Sequence, residues 1–313
     1  MALLIFGSVA AAERQNVSDW LALRSYQPSN TVVELATETT MNAYARKVFY
    51  VNHPNIDNKI NFYQNCPNNG GEKTVVLGCY HNGQRGIFVL QVSDPRLSGI
   101  EQVTAAHETL HAIYDRLSSR DRNYVDGLLM DYYQHDLHDK RILDTIAAYK
   151  KSEPNDVVNE MHSVFGTEVT NLPTPLENYY KQYFTERQKI AAYASQYEAA
   201  FTSRQNQVAE DDTSLASMKA KITTDEASLQ AQQKTIDSDK ARLENLKDSS
   251  DYADYNNGVP SFNSEVDTYN TMVTVTRSLI AQYNQLVEAR NAIAIEENQL
   301  VQDISSAPQQ IPQ

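Results

Sequence analysis

The sequence predicts an α+β protein: a mostly helical domain with a small antiparallel β-hairpin or sheet, followed by a long antiparallel coiled-coil hairpin. Apolar residues recur at helical spacing through the first half, two alternating segments flank an Asn-Gly turn, and apolar residues recur every seventh position near the end. We expect an apolar segment over residues 1–13, a folded domain over 14–172, the helical hairpin over 173–305 and a disordered tail over 306–313.

The N-terminal segment is an apolar run from Ala2 to Ala12. It is shorter than the roughly 20 residues that span a bilayer, and it fits the apolar part of a secretory signal with small residues for cleavage. No Lys or Arg precedes the run, which leaves the remnant of a longer membrane anchor as the alternative. We therefore expect an exported protein of the cell envelope or extracellular space, with membrane association through this segment.

Two cysteines, Cys66 and Cys79, bracket a stretch rich in Asn and Gly. In an exported protein such a pair predicts a disulfide, worth about 3 kcal/mol by the chain-entropy model. A pair of buried thiols is the alternative. The net charge of −13 argues against a general nucleic-acid binder, because phosphate contacts need clustered Lys and Arg.

The folded domain contains helices around one hairpin. Apolar spacing predicts a helix over residues 31–50, which Pro54 ends. Asn82-Gly83 is a hairpin-turn signal between two alternating segments. The predicted strands are Lys73–Tyr80 and Gly86–Val92. The helices predicted after them are Ile100–Leu117, 120–134, 140–151 and 154–165. Gly166 is predicted at the C′ position of the last helix, and Pro173 and Pro175 mark the domain boundary.

The last third carries two heptad series. Their apolar positions are Val208, Leu215, Ile222, Leu229, Ile236 and Leu243, then Val266, Val273, Ile280, Val287, Ala294 and Val301. Asn-Gly and Pro predict a loop over Asp248–Pro260 between them, so the two helices would fold back on each other. Three Asp and a Gln in the companion positions of the first series argue against a long homodimer. A self-contained arm, or a module for a protein partner or self-association, is expected.

The helix over Ile100–Leu117 contains His107-Glu-Thr-Leu-His111. Residues i and i+4 share one helix face, so both imidazoles can reach one metal ion. Glu108 cannot ligate the same ion but can reach a water bound to it, and can act as a general base. We expect one Zn²⁺ per chain, with His107 and His111 as ligands and Glu108 as the catalytic base.

This motif, with a strand before it, resembles the zincin metallopeptidases. A metzincin would continue with Gly and a third ligand where Tyr114 and Leu117 stand, so that branch is excluded. Asn159-Glu160 resembles the gluzincin pattern, and the resemblance implies that Glu160 is the third ligand. The pattern departs at Val164, where a helper Asp is usual. Asp156 is the alternative for the orienting role.

Four further residues are candidates for a metal or catalytic site, and their positions in the sequence are less favourable. His162 is the rival third ligand, but it lies on the opposite helix face from Glu160, so both cannot face the ion. With Glu160 as the ligand, His162 is expected to hydrogen-bond to a ligand or to donate a hydrogen bond to the transition state. Glu168 is a weaker third-ligand candidate. His135 and His138 have polar neighbours and are expected in a solvated turn.

The resemblance implies hydrolysis of a peptide bond in a peptide or protein substrate. In zincins the strand before the motif helix is an edge strand that holds an extended peptide, a role we expect for Gly86–Val92. The substrate, including a cell-wall peptide, stays open, and the oxyanion donor is His162 or one of the 19 Tyr. The alternative is a non-enzymatic envelope scaffold with a structural metal site, which would have no use for Glu108.

Overall fold

A computed structural model describes residues 14–67 and 76–305. The apolar run of residues 1–13, the first residues of the predicted strand Lys73–Tyr80 and the predicted tail over 306–313 lie outside the described residues. The described residues form two compact units, one from residues 14–200 together with 299–305 and one from residues 201–298. The prediction of a mostly helical α+β protein with a small sheet is confirmed.

The first unit contains nine short helices and three strands among its described residues. The helices are α1 (14–23), α2 (Asn30–Glu38), α3 (Ala43–Val51), α4 (Lys59–Asn65), α5 (Ile100–Asp115), α6 (Ser119–His135), α7 (Lys140–Ser152), α8 (Val157–Glu168) and α9 (Thr174–Tyr180). The strands are β1 (Asn55–Asp57), β2 (Gly78–His81) and β3 (Gly86–Leu90). Helix α10 (Arg187–Asp248) begins in this unit, and α11 (Tyr252–Ile304) ends in it. None of the described helices is both long and apolar enough to cross a membrane.

The single helix predicted over residues 31–50 is wrong, because two helices, α2 and α3, occupy this stretch. The chain turns at Thr40, whose φ of 54° is incompatible with a continuing helix. Met41 then pairs its backbone with Phe184, and the Asn42 side chain accepts a hydrogen bond from the Ala45 N–H at 3.0 Å, which starts α3. The apolar spacing on both sides is helical, but a tertiary contact interrupts it.

The sheet has the order β1-β3-β2, with β3 parallel to β1 and antiparallel to β2. The hairpin predicted at Asn82-Gly83 is confirmed, and Gly83 has the positive φ of 75° that its turn requires. The expectation that Gly86–Val92 provides an edge strand is wrong. Short β1 pairs with β3 on its other side, so among the described strands β3 is central and β2 lies at the edge.

The predicted disulfide between Cys66 and Cys79 is confirmed. Cys66 ends α4 and Cys79 lies in β2, so the bond joins this helix to the edge strand. Both sulfur-bearing residues pack with Phe62 and Leu90 in a small apolar cluster.

Gly166 does not end α8, as the sequence predicted, but lies inside it. A Cβ at this position would stand 2.5 Å from Leu110 Cδ1 and 2.7 Å from Tyr180 Cε1. The glycine therefore serves close packing of α8 on α5 and α9, which a sequence pattern cannot distinguish from a helix terminus.

The loop predicted over Asp248–Pro260 is wrong, because only residues 249–251 separate α10 from α11 and Pro260 lies inside α11. A Cβ at Gly258 would approach Leu243 Cδ2 to 2.8 Å, so this glycine allows the two helices to approach rather than forming a turn. Within residues 201–298, Arg204 pairs with Glu296 and Arg290 pairs with Asp212. The pairs run in opposite order along the helices, which are therefore antiparallel.

Candidate metal centre

Helix α5 carries the first two predicted ligands. It starts after Gly99, whose φ of 101° is readily available only to glycine and where a Cβ would lie 2.9 Å from Tyr193 Cβ. The helix packs against the sheet on one side and α8 on another, and most of its side chains are buried. His107 and His111 lie one turn apart on the face toward α8, with ring centroids 4.8 Å apart.

Helix α8 brings Glu160 to these two imidazoles. Its carboxylate oxygens lie 3.7 Å from His107 Nε2 and 3.4 Å from His111 Nε2. One donor atom from each of the three residues lies within 4.8 Å of the other two. Two imidazole nitrogens and one carboxylate are a donor set that suits Zn²⁺, and three protein ligands leave one position open. The residues present therefore fit the ion that the motif implies.

The orientation of His111 is held from behind. Its Nδ1 lies 3.0 Å from Asn159 Oδ1, which can only accept, so Nδ1 carries the proton and Nε2 keeps its lone pair toward the site. Asn159 Nδ2 donates in turn to Asp156 Oδ2 at 3.0 Å. Asp156 thus acts on His111 through Asn159. Such outer contacts normally fix the tautomer and direction of a ligating imidazole.

Glu108 is buried beside the ligands and against the edge strand. A Cβ at Gly78 would lie 2.6 Å from Glu108 Oε1 and 2.8 Å from its Cγ, so β2 passes directly over this side chain. The carboxylate is also close enough to His107 to raise the pKa of that imidazole. The position predicted for a general base therefore lies between the candidate ligands and the edge strand.

The charges in this cluster stabilise one another. Burial alone would lower the pKa of His107, but the hydrogen bond that its imidazole donates to Glu160 and the negative charges of Glu108 and Glu160 raise it to about 9. Burial would raise the pKa of Glu160, yet the neighbouring imidazoles of His111 and His107 bring it below its usual value. Without metal, the site therefore holds a protonated imidazole beside an ionised carboxylate.

Tyr149 is a neighbour of the site that the sequence did not single out. Its hydroxyl donates a hydrogen bond to Glu160 and helps to keep the pKa of this carboxylate low. The residue lies on α7, one turn after buried Ile146. Nothing in the local sequence distinguishes it from the other tyrosines, because only the packing of α7 on α8 brings it to Glu160.

His162 lies apart from the three candidate metal ligands. Its side chain is completely buried, its Nε2 lies 2.8 Å from the Tyr179 hydroxyl, and its ring packs against Tyr114 and Tyr180. Nδ1 has no hydrogen-bond partner among the described residues. Burial lowers the pKa of this imidazole well below its usual value, so the ring is neutral. Without solvent-exposed surface, it has no direct path to a substrate in this conformation.

The other candidates lie elsewhere. Glu168 forms an ion pair with Arg141, and His135 pairs with Asp131 on an exposed surface of α6. Exposed His138 follows that helix. Across residues 14–67 and 76–305, two further groups of potential ligands occur: Cys66, Cys79 and His81, whose cysteines are oxidised, and Glu153, Asp156 and Glu160, which shares a residue with the main cluster.

No protein-family model, curated protein or solved structure matches this chain.

Proposed function

We propose that this chain is a zinc-dependent hydrolase of the gluzincin type that cleaves peptide bonds. One observation carries the proposal: His107 and His111 on α5 and Glu160 on α8 direct their donor atoms to one point, although α6 and α7 separate them in sequence. Glu108, at the position of a general base, is buried between that point and an edge strand.

Each side chain has a defined role in this proposal. His107, His111 and Glu160 hold one Zn²⁺, which when bound polarises a carbonyl and lowers the pKa of a water. Glu108 takes the proton from the attacking water and then transfers it to the leaving amine. Asn159 holds the His111 ring in its tautomer, and Tyr149 orients the Glu160 carboxylate by donating to it. His162 has a structural role within its tyrosine cluster.

The edge of β2 supports an extended peptide as the substrate. Leu90 N–H donates to Leu77 O, so alternation places the hydrogen-bonding groups of Cys79 toward β3 and those of Gly78 and Tyr80 away from it. An outward row of N–H and C=O groups can pair with an added strand. Because Gly78 lies against Glu108, a peptide on this edge would run past the general base.

The test begins with metal content, measured on wild type, Glu160→Ala and His162→Ala protein. Zinc near one per chain in wild type and His162→Ala, but not in Glu160→Ala, is the expected pattern. Glu108→Gln should keep the metal and lose cleavage of a mixed peptide library by a factor of about 10² or more. A wild-type protein that takes up no zinc would overturn the proposal. So would Glu108→Gln with unchanged cleavage.

The second candidate is a scaffold in the cell envelope whose zinc site is structural. The observation that favours it is the length of α10 and α11, 62 and 53 residues, and the burial or half-burial of every position of the first heptad series. We propose that these helices form a coiled-coil hairpin that serves as an arm or docks a protein partner. The disulfide supports an exported location. Metal retention without any cleavage would favour this candidate.

A further inference from the structure

Helix α1 has its polar and apolar faces reversed. Its one fully buried side chain is Asp19, 1% exposed, whereas Val17, Trp20 and Leu21 are 58%, 63% and 49% exposed. A surface helix of a soluble protein normally buries its apolar stripe. Single exposed apolar side chains are common, but three adjacent large ones opposite a buried carboxylate form a patch that needs an explanation.

The reversal is maintained by strong polar contacts. Arg116 forms two hydrogen bonds with the Asp19 carboxylate, at 3.0 and 3.1 Å, and Lys47 forms an ion pair with it at 2.8 Å. Gln84 donates to the same carboxylate at 2.6 Å. The contacts come from α3, the β2–β3 hairpin and the end of α5, so the orientation of α1 is fixed from three sides. The apolar face is therefore held outward.

Spacing places the exposed apolar residues on one face with two cations. Val17, Trp20 and Leu21 have i, i+3 and i+4 spacing, and Arg14 and Arg24 lie one turn before Val17 and one turn after Trp20. Both arginines are exposed. Tryptophan at the centre with arginines at the ends is the composition that binds at the boundary between lipid acyl chains and headgroups.

We propose that this face of α1 (Val17, Trp20 and Leu21, flanked by Arg14 and Arg24) lies on a lipid bilayer that contains anionic headgroups. In sequence, the apolar run Ala2–Ala12 precedes α1 directly, and its composition favours the same apolar environment as the exposed face. The arginines complement anionic headgroups even though the chain carries a net charge of −13. This contact does not depend on the metal centre.

The chain has one tryptophan, Trp20, which makes it an internal probe for the test. The full-length protein is mixed with vesicles of phosphatidylcholine containing about one third phosphatidylglycerol. We expect the emission of Trp20 to shift to shorter wavelength, and brominated acyl chains to quench it. Vesicles of phosphatidylcholine alone should bind more weakly, because Arg14 and Arg24 lose their counter-charge.

Two double variants distinguish binding through this face of α1 from nonspecific binding by exposed apolar side chains. Val17→Ser/Leu21→Ser should reduce partition into the mixed vesicles by about tenfold. Ile60→Ser/Val275→Ser removes two exposed aliphatic side chains from other helices and should leave partition unchanged. Circular dichroism establishes that both variants remain folded.

Three results would overturn the proposal. Absence of vesicle binding is the first. Binding that leaves Trp20 emission unchanged and is equal in the Val17→Ser/Leu21→Ser variant would assign membrane contact to the apolar run alone. A blue shift that grows with protein concentration in the absence of vesicles would show that a second copy of the chain covers this face.

Discussion

At the scale of single residues, the contact between Gly78 and Glu108 limits where the carboxylate of Glu108, the proposed general base, can lie. Glu108 has little room, because β2 passes over its carboxylate with a glycine at the point of contact. The backbone of Gly78 has no unusual φ, so its function here is to have no side chain. The motif from His107 to His111 does not reveal this role of Gly78.

We therefore expect Gly78→Ala to keep zinc and lower cleavage. The new Cβ would overlap Thr104 Cγ2 as well as Glu108 Oε1 and Cγ, so both side chains must shift. A misplacement of Glu108 by about 1 Å can cost about 10²-fold in rate. Steady-state kinetics and metal content on the same preparation provide the measurement. Gly127→Ala, where nothing lies within 4 Å, is the matched control and should retain full activity. Equal activity in the two variants would argue against this role.

The protonated state of His107 predicts how zinc binding depends on pH. Its pKa is raised to about 9 in the metal-free protein, so at pH 7 zinc must displace a proton. The apparent zinc affinity should rise about tenfold per pH unit up to about pH 9 and then level off. The raised pKa stabilises the metal-free fold below about pH 6.5, and this stabilisation is lost as pH rises to 9.

Competition with a chelator of known affinity across this pH range measures the slope. Metal-free and zinc-loaded protein should also respond oppositely in thermal unfolding, the metal-free form losing stability with rising pH while the zinc-dependent increment grows. An apparent affinity that does not change between pH 7 and 9 would contradict a protonated His107 in the metal-free site.

At the scale of elements, the disulfide links the edge strand to the helix that precedes it. Cys66 and Cys79 are 13 positions apart, and their bond joins the end of α4 to β2. β2 is the strand that carries Gly78 and pairs only with β3 among the described strands. An edge strand has fewer backbone partners than a central one, so the covalent link compensates for what pairing does not provide.

Replacing both cysteines by alanine should lower the free energy of unfolding by about 3 kcal/mol, because the unfolded chain has more conformational entropy without the cross-link. Urea unfolding followed by circular dichroism measures the change. Wild-type protein in a dithiol reductant is the control and should lose a similar amount. An unchanged midpoint in both samples would mean that β2 is held by its pairing with β3 and its packing on α5 without help from the disulfide.

At the scale of the whole molecule, the candidate metal site depends on one packing arrangement. Helix α8 meets α5 closely because Gly166 and Leu110 allow it, and buried Arg187 at the start of α10 holds the chain that follows α8. Arg187 donates to the Val169 carbonyl at 2.7 Å and pairs with Glu177 at 2.7 Å. These contacts hold the C-terminal end of α8, and the helix in turn carries Glu160.

Features that depend on short spacing could be predicted from the sequence alone. His107, Glu108 and His111 share a helix because the period of an α-helix is constant, and the Asn82-Gly83 hairpin follows from the backbone freedom of glycine. The disulfide and the antiparallel order of α10 and α11 were predictable on similar grounds, because short loops and heptads restrict the possible partners.

Contacts between groups that are distant in sequence could not be predicted, because they depend on how the elements pack. Three features depend on packing between segments that many residues separate. Tyr149 lies beside Glu160, β2 rather than β3 forms the edge of the sheet, and the apolar face of α1 points outward. Gly166 was predicted at a helix end and Gly258 in a loop, and both instead permit close packing. Local propensities differ by about 1 kcal/mol or less, so contacts between elements override them.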